Sequence, residues 1–261
     1  MNVVVLIKRV PDTETKIQVK DGKVVTEGIA WIISPYDEYG VEEALRLIEK
    51  NGGKVTLLCL GPEEAKETIR KGLALGADSA IHLNDPAFLG GDASTTAKVL
   101  AAALKKMEFD LVLAGKQAVD EDNAQVGVRV AELLNLPEVN SVIKIDLSED
   151  KKSAKLLREV DGDRDIAETS LPAIITTQQG LNEPRYPSLK GIMGAKKKPV
   201  TDWKAADIGV DPATVGAAGA KLEVVRLDPP PSRPPGKIVP GEPATAAKEL
   251  VRLLHEEAKV I

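Results

Sequence analysis

Three carboxylates, a lysine and two glutamines crowd into one loop of this 261-residue chain. Residues 109–127 read FDLVLAGKQAVDEDNAQVG. An apolar run (Leu111, Val112, Leu113, Ala114) breaks at Gly115, passes through Lys116, Gln117, Ala118, Val119 and Asp120, and restarts as a helix near Asn123. A strand, a glycine turn and a helix N-terminus can hold a phosphate, because the first N–H groups of a helix have no intrahelical acceptor and point outward. Asp122 is placed to cap that helix, and Gln125 to close a capping box three residues on. The carboxylates of Asp120, Glu121 and Asp122 oppose an anion there, with only Lys116 nearby in sequence to offset them. They equally suit an acidic helix start that complements the dipole. The chain has neither GxGxxG nor GxxxxGK[ST], so no dinucleotide or P-loop fingerprint decides between the two readings.

Around this loop the pattern is one of alternating strands and helices. Residues 2–7 form a buried-strand run that ends in Lys8, Arg9, Val10 and Pro11. Lys8 and Arg9 are either ligand-facing, at a strand's carboxyl end, or a solvated basic strand end. Residues 16–26 alternate about Asp21-Gly22, a hairpin signal. Ser34, Pro35, Tyr36 and Asp37 lead into a helix over 38–51, whose Val41, Ala44, Leu45 and Ile48 share a face and which Gly52-Gly53 stops. A strand at 54–60, a helix at 64–75, a strand at 80–83 and a helix from Asp92 or Ser94 to Lys106 lead to the central loop. Short connections in this order predict an α/β fold with a doubly wound parallel sheet.

From Ser141 the character changes. Residues 142–147 and 155–160 read as antiparallel strands, Asp161-Gly162 as a turn, and 171–178 as a further buried strand. Residues 180–189 are polar, with Leu181 between turn formers. From Trp203 no periodic core pattern appears until residues 242–261, an amphipathic helix reached through a proline-rich, extended arm over 228–243. Such a helix needs another surface, either a partner chain or the sheet itself. Residues 1–200 are therefore expected as the α/β domain, and 201–261 as a C-terminal arm and helix.

Composition excludes several classes. A net charge of −5 and 3% aromatic residues argue against nucleic acid as a partner. The single Cys59 lies in an apolar run and reads as a core residue, and His82 as a partly buried structural one. With His255, these cannot form an ordinary zinc site. No segment approaches the roughly 18 apolar residues of a membrane span. The opening MNVVVLIKRVPD carries its basic residues after the apolar run, unlike a signal peptide. A soluble, cytoplasmic protein is expected.

Several pieces together resemble the electron transfer flavoprotein β subunit. They are REVDGD at 158–163, Glu168 and LPAIITT at 171–177, with VVVLIKRVPD, SPY, GKQAVDEDNAQVG, GLNEPRYPSL, IMGAKKK and DPPPSR elsewhere along the chain. The resemblance implies a heterodimer in which an α subunit holds most of a redox-active FAD and β carries a buried AMP. It places the AMP site at Leu6, Ser34, Pro35, Tyr36, Asp37, Leu60 and the run from Gly115 to Val126. Within that run Lys116, Gln117, Ala118, Val119, Asp120, Asp122, Asn123, Ala124, Gln125 and Val126 are the expected residues. Backbone N–H groups and Gln125 would hold the phosphate, and Asp120 and its neighbours would face ribose or solvent. Tyr36 would approach the flavin, or serve as a hydrophobic staple before the helix. Leu181 would anchor a recognition loop near 178–190 against a partner dehydrogenase, and Glu159 would pair with an α-subunit arginine.

The resemblance is not uniform. Ala124 and Val126 stand where the AMP-binding branch has Asn and Thr. Ala-Gln-Val-Gly instead resembles the bifurcating branch, in which a second FAD replaces AMP. That branch has Gly, Thr and Pro where this chain has Glu121, Asn123 and Val128, and a bulky Glu121 narrows the space for an isoalloxazine. The expected function is a carrier that takes electrons from acyl-CoA dehydrogenases and similar flavoenzymes and passes them to a membrane quinone reductase. The alternatives are NADH-oxidising bifurcation and a stand-alone nucleotide-binding regulator on the same scaffold.

Overall fold

The computed structural model describes residues 1–231 and 235–261. The chain divides into two compact units, Met1–Lys16 with Thr26–Val225, and Ile17–Val25 with Arg226–Ile261.

In chain order the elements begin with β1 (Asn2–Ile7) and β2 (Arg9–Pro11), then the hairpin strands β3 (Val19–Lys20) and β4 (Lys23–Val24). There follow β5 (Trp31–Ile33), α1 (Pro35–Asn51), β6 (Lys54–Leu60), α2 (Ala65–Leu75), β7 (Ser79–Leu83), α3 (Ala93–Leu104), β8 (Leu111–Gly115) and α4 (Val126–Leu134). Next come β9 (Glu138–Leu147), β10 (Ser153–Val160), β11 (Asp163–Ser170), β12 (Ala173–Thr177), α5 (Leu189–Ala195), β13 (Val200–Trp203), α6 (Ala205–Ile208), α7 (Gly216–Gly219) and α8 (Pro243–Arg252).

The larger unit is built on a nine-stranded sheet among the described residues, in the order β11-β10-β9-β12-β8-β1-β6-β7-β13. Strands from β9 to β13 across that order pair in parallel, while β10 runs antiparallel to both β9 and β11. The sheet is therefore mixed rather than wholly parallel. The cause is local: tight turns link β9 to β10 and β10 to β11, and a hairpin reverses the chain. Asp161 (φ 33°) and Gly162 (φ 87°) make the second of these turns.

Central strands are apolar on consecutive residues because helices cover both faces. Val3, Val5, Leu57, Leu113 and Ile175 pack in one core with Val41, Ala44 and Leu45 of α1 and Ile69 and Leu73 of α2. Val4, Leu6, Leu58, Val112 and Ile174 point the other way, into a core with Ala97, Leu100 and Leu104 of α3 and Val130 and Ala131 of α4. Each fully buried Leu, Ile or Val contributes roughly 1.5–3 kcal/mol over an exposed one. The second core also takes Ala205, Ile208 and Val215. The stretch after Trp203, without visible periodicity, thus belongs to the larger unit up to Val225. Its helices have four residues each, too few to show a period.

In the smaller unit, Asp21 (φ 52°) and Gly22 (φ 71°) turn β3 into β4. The C-terminal helix is shorter than the amphipathic pattern: α8 ends at Arg252 and widens into a π-helical turn over Leu253–Glu257. Leu250 and Val251 remain exposed. The proline-rich stretch and the DPPPSR sequence fall partly on residues 232–234, outside the described residues. No helix among the described residues is long and apolar enough to cross a membrane.

Candidate functional site

The chain runs from β1 through α1 to β6 and on to β7 on one side of β1, then returns to place β8 on the other side. Open α/β sheets bind ligands at the carboxyl ends of strands where the direction of winding reverses. A cleft of about 410 Å³ lies there. That volume falls within the roughly 300–1,000 Å³ of small-molecule sites. Its lining includes Leu6, Lys8 and Arg9 at and beyond the end of β1, Leu60 and Gly61 at the end of β6, residues 88–93 leading into α3, and both sides of the central loop.

Asp37 forms the floor. One carboxylate oxygen accepts the Lys8 N–H at 2.7 Å and the other the Gly115 N–H at 2.9 Å, so one buried side chain ties the ends of β1 and β8 to α1. Burial pushes its pKa up to about 7, against the pull of those two N–H donors and the Lys8 charge. Gly115 is required beside it. A Cβ there would lie 2.4 Å from Asp37 Oδ1 and 2.8 Å from Tyr36 Cβ.

Four helix N-termini gather at this end of the sheet, and they are not equivalent. Asp37 sits in the first turn of α1. Asp92 caps α3, accepting the N–H groups of Thr95 and Lys221, and these donors hold its carboxyl at about 2. Glu67 lies in the first turn of α2. The first turn of α4 carries no acid and no side-chain cap, and the N–H groups of Val126, Gly127 and Val128 have no hydrogen-bond partner among the described residues. Gly127 lies close under β12, where a Cβ would meet Thr176 Cγ2 at 2.8 Å.

The acidic run does not cap this helix, and α4 starts three residues later than the pattern suggests. Asp122 instead accepts a hydrogen bond from Gln117 Nε2 at 2.8 Å, and Gln125 Oε1 accepts two from Arg129, so no capping box forms. Asp120 pairs with Lys8 at 2.9 Å, and Glu121 lies 3.5 Å from the same ammonium. The carboxylate charge expected to face ribose is thus met by a lysine 112 residues away. Asp122 and Ala124 both take φ of 51°, in the left-handed region. Left- and right-handed residues in succession turn their N–H groups toward one concave side, an anion-binding geometry. Gln125, which follows Ala124, is right-handed.

Of the expected nucleotide residues, Leu6, Asp37, Leu60, Gly115, Lys116, Gln117, Ala118, Asn123, Ala124, Gln125 and Val126 line the cleft. Ser34, Pro35, Tyr36, Val119, Asp120 and Asp122 do not. Ser34 is fully buried, its N–H donating to Lys8 O, and Tyr36 O accepts the Thr177 hydroxyl. Lys116 Nζ lies 5.4 Å from the centre of the Tyr36 ring. The cleft adds Arg9, Trp31, Gly61 and residues 88–93. The sequence allows Arg9 to be either ligand-facing or solvated, and here it lines the cleft. The others carried no motif, although Gly90-Gly91 before Asp92 is a turn signal. His82 is fully buried behind Gly61, with Nε2 3.0 Å from Gly61 O and Nδ1 3.1 Å from Asp202 Oδ1.

Leu181 is partly buried and packs on the first core rather than protruding. The loop is clamped to α1 by Arg185, which pairs with Glu42 at 2.7 Å and Glu49 at 2.5 Å, and by Asn182, which donates to Tyr39 O and Glu43. The exposed apolar side chains come after the clamp, at Tyr186, Leu189 and Met193. Glu159 is exposed on β10 and accepts a hydrogen bond from Gln178.

The electron transfer flavoprotein domain profile matches residues 21–208. Over the full length of both chains, the sequence is 45% identical to the electron transfer flavoprotein subunit beta of Bacillus subtilis. The chain belongs to the electron transfer flavoprotein β-subunit family. It is also 41% identical to the subunit beta of Thermoanaerobacterium thermosaccharolyticum, over 98% of each chain. A third relative, the caffeyl-CoA reductase-Etf complex subunit CarD of Acetobacterium woodii, is 40% identical over 98% of this chain and 99% of that one. Membership makes this electron transfer flavoprotein β subunit a component of flavin-linked electron transfer. Within the matched residues Asp37 of SPYD forms the floor of the cleft, GKQAVDEDNAQVG its acidic loop, and LNEPR the clamp on α1.

Proposed function

We propose that this β subunit carries AMP in the cleft and works as one half of a cytoplasmic heterodimer whose α subunit holds most of an FAD. The observation that carries the nucleotide assignment is the open N-terminus of α4. The first turns of α1 and α2 bear their own carboxylates and Asp92 caps α3, whereas the first turn of α4 presents bare N–H groups to the cleft. A phosphate there gains the helix dipole and hydrogen-bond donors, while Lys8 holds Asp120 and Glu121 in ion pairs. Gly115 and Gly127 let the two ends of the loop pack closely on Asp37 and Thr176, which fixes where those N–H groups sit. Leu6 and Leu60, at the carboxyl ends of β1 and β6, offer an apolar floor to a base.

In this role the chain makes no bond with a substrate. FAD bound by the heterodimer stores and releases the electrons, and the protein supplies position and electrostatics. Acyl-CoA dehydrogenases and similar flavoenzymes are the donors and a membrane quinone reductase the acceptor. The loop after β12, whose exposed Tyr186, Leu189 and Met193 follow the Arg185 clamp while Leu181 anchors it on the core, docks the donor, and Glu159 faces the α subunit. The apolar residues left exposed on α8 suit packing on that subunit.

A second reading has a specific observation behind it. Ala124 and Val126 stand where the AMP branch has polar side chains, which fits a second FAD in the cleft and oxidation of NADH, and one relative is a subunit of a caffeyl-CoA reductase-Etf complex. Against it, the Glu121 side chain lines the cleft, in space a tricyclic ring would need. Stopped-flow absorbance of the co-purified heterodimer separates the two. The carrier reading predicts flavin bleaching by a reduced acyl-CoA dehydrogenase and none by NADH. Bleaching by NADH alone selects the second reading.

A further inference from the structure

The cations lining the cleft are treated differently by the fold. Lys8 is paired with Asp120 and Glu121. Arg9 has no such partner. Its guanidinium lies 3.6 Å from the centre of the Trp31 ring, and its side chain makes no ion pair or hydrogen bond among the described residues. Nε is buried and unsatisfied. Desolvation lowers the pKa of Arg9, against the fields of Glu64 and Glu67. A buried donor without a partner is costly, and Glu64 and Glu67 act on this cation without touching it, so a guanidinium stacked on an indole leaves its in-plane donors to a ligand.

Position narrows what that ligand group is. Arg9 sits beside α2 and Cys59, on the β6 side of β1. The open end of α4 follows β8, on the opposite side of β1. A nucleotide with its phosphate on α4 therefore extends its base across the ends of β1 and β6 toward Arg9. Trp31 and Arg9 both line the cleft at that end. Guanidinium groups donate in their own plane to ring nitrogens at base edges.

We propose that Arg9, held flat on Trp31, donates to a ring-nitrogen acceptor of the purine and so sets the base preference of the β-subunit site. The inference rests on the reading of the cleft as an adenylate site. Arg9 is a binding residue here and takes no part in electron transfer.

The test uses the nucleotide-depleted αβ complex, with calorimetric titration of AMP, ribose 5-phosphate, ADP and the 1-, 3- and 7-deaza analogues of AMP. Arg9→Met keeps an unbranched chain over Trp31 and removes the donors. It is expected to weaken AMP about tenfold or more and leave ribose 5-phosphate unchanged. One deaza analogue is expected to lose the same factor on the wild-type complex and nothing further on the variant. The deaza series on unaltered protein decides the matter even if the variant folds poorly. Equal binding of all three deaza analogues and AMP to the wild type overturns the proposal. So does an Arg9→Met variant that loses AMP and ribose 5-phosphate in the same proportion. Tighter binding of ADP than AMP that vanishes in the variant also overturns it, by placing a phosphate at Arg9. A wild-type complex that binds neither AMP nor ribose 5-phosphate overturns the adenylate reading along with it.

Discussion

The Asp37 carboxylate accepts the Gly115 N–H at 2.9 Å, and a Cβ on residue 115 would lie 2.4 Å from that same oxygen. Helix α1 and strand β8 are thus locked by a contact that only glycine permits. Gly115→Ala is expected to break it, combining overpacking of about 1–3 kcal/mol with loss of a buried hydrogen bond. Thermal unfolding should fall by several degrees, and the purified complex should lose its nucleotide. A variant with unchanged melting temperature and full nucleotide content contradicts the clamp.

Asp37 also gives stability a pH dependence with a definite sign. Its folded pKa, about 7, lies above its unfolded value near 3.8. Between these values the folded chain holds a proton that the unfolded chain has released. The contribution is therefore full below about 3.8 and lost as pH rises through 7. Asp37→Asn removes the titration and leaves one N–H facing an amide donor. Urea unfolding of both proteins at pH 5 and pH 8 should show the wild type's advantage narrowing at the higher pH. An advantage that widens is the opposite result.

Lys8 separates an electrostatic role from a structural one. Its pairs with Asp120 and Glu121 are partly exposed, so Lys8→Ala should change stability by no more than about 1 kcal/mol. Nucleotide affinity should fall several-fold, because two carboxylates near a bound phosphate lose their counter-ion, and the loss should shrink in high salt. Affinity that is unaffected at low salt would mean the acidic run lies too far from the phosphate to matter.

Arg185 holds the loop after β12 on α1 through Glu42, which is only 4% exposed. Removing one partner of a buried ion pair typically costs about 3–5 kcal/mol. Arg46 still reaches Glu42 at 2.6 Å, so Arg185→Ala should cost less, about 1–2 kcal/mol. It should also slow electron uptake from a partner dehydrogenase, with flavin content unchanged. Electron uptake at the wild-type rate would argue that this loop does not dock the donor.

The order of central strands and helices was legible because each carries either a continuous apolar run or a helical stripe, both of which depend only on local spacing. The hairpins at Asp21-Gly22 and Asp161-Gly162 were legible for the same reason. What escaped depends on distant residues. β2 and β5 have three residues each and exist only by pairing with one another. Nothing near the central loop in sequence shows that Lys8 neutralises Asp120, or that Asp37 reaches Gly115. The capping box failed because the acceptors of the acidic run found partners elsewhere, leaving the helix end open. Leu181 looked exposed beside turn formers, yet Arg185 and Asn182 draw its loop down onto α1.

The most direct measurement is the identity and amount of nucleotide released on denaturing the purified αβ complex, by mass spectrometry and absorbance. An adenylate on the bare N–H groups of α4 predicts one AMP and one FAD per complex. Recovery of two FAD and no AMP contradicts the assignment of AMP, and a complex with FAD alone contradicts nucleotide binding by this cleft altogether.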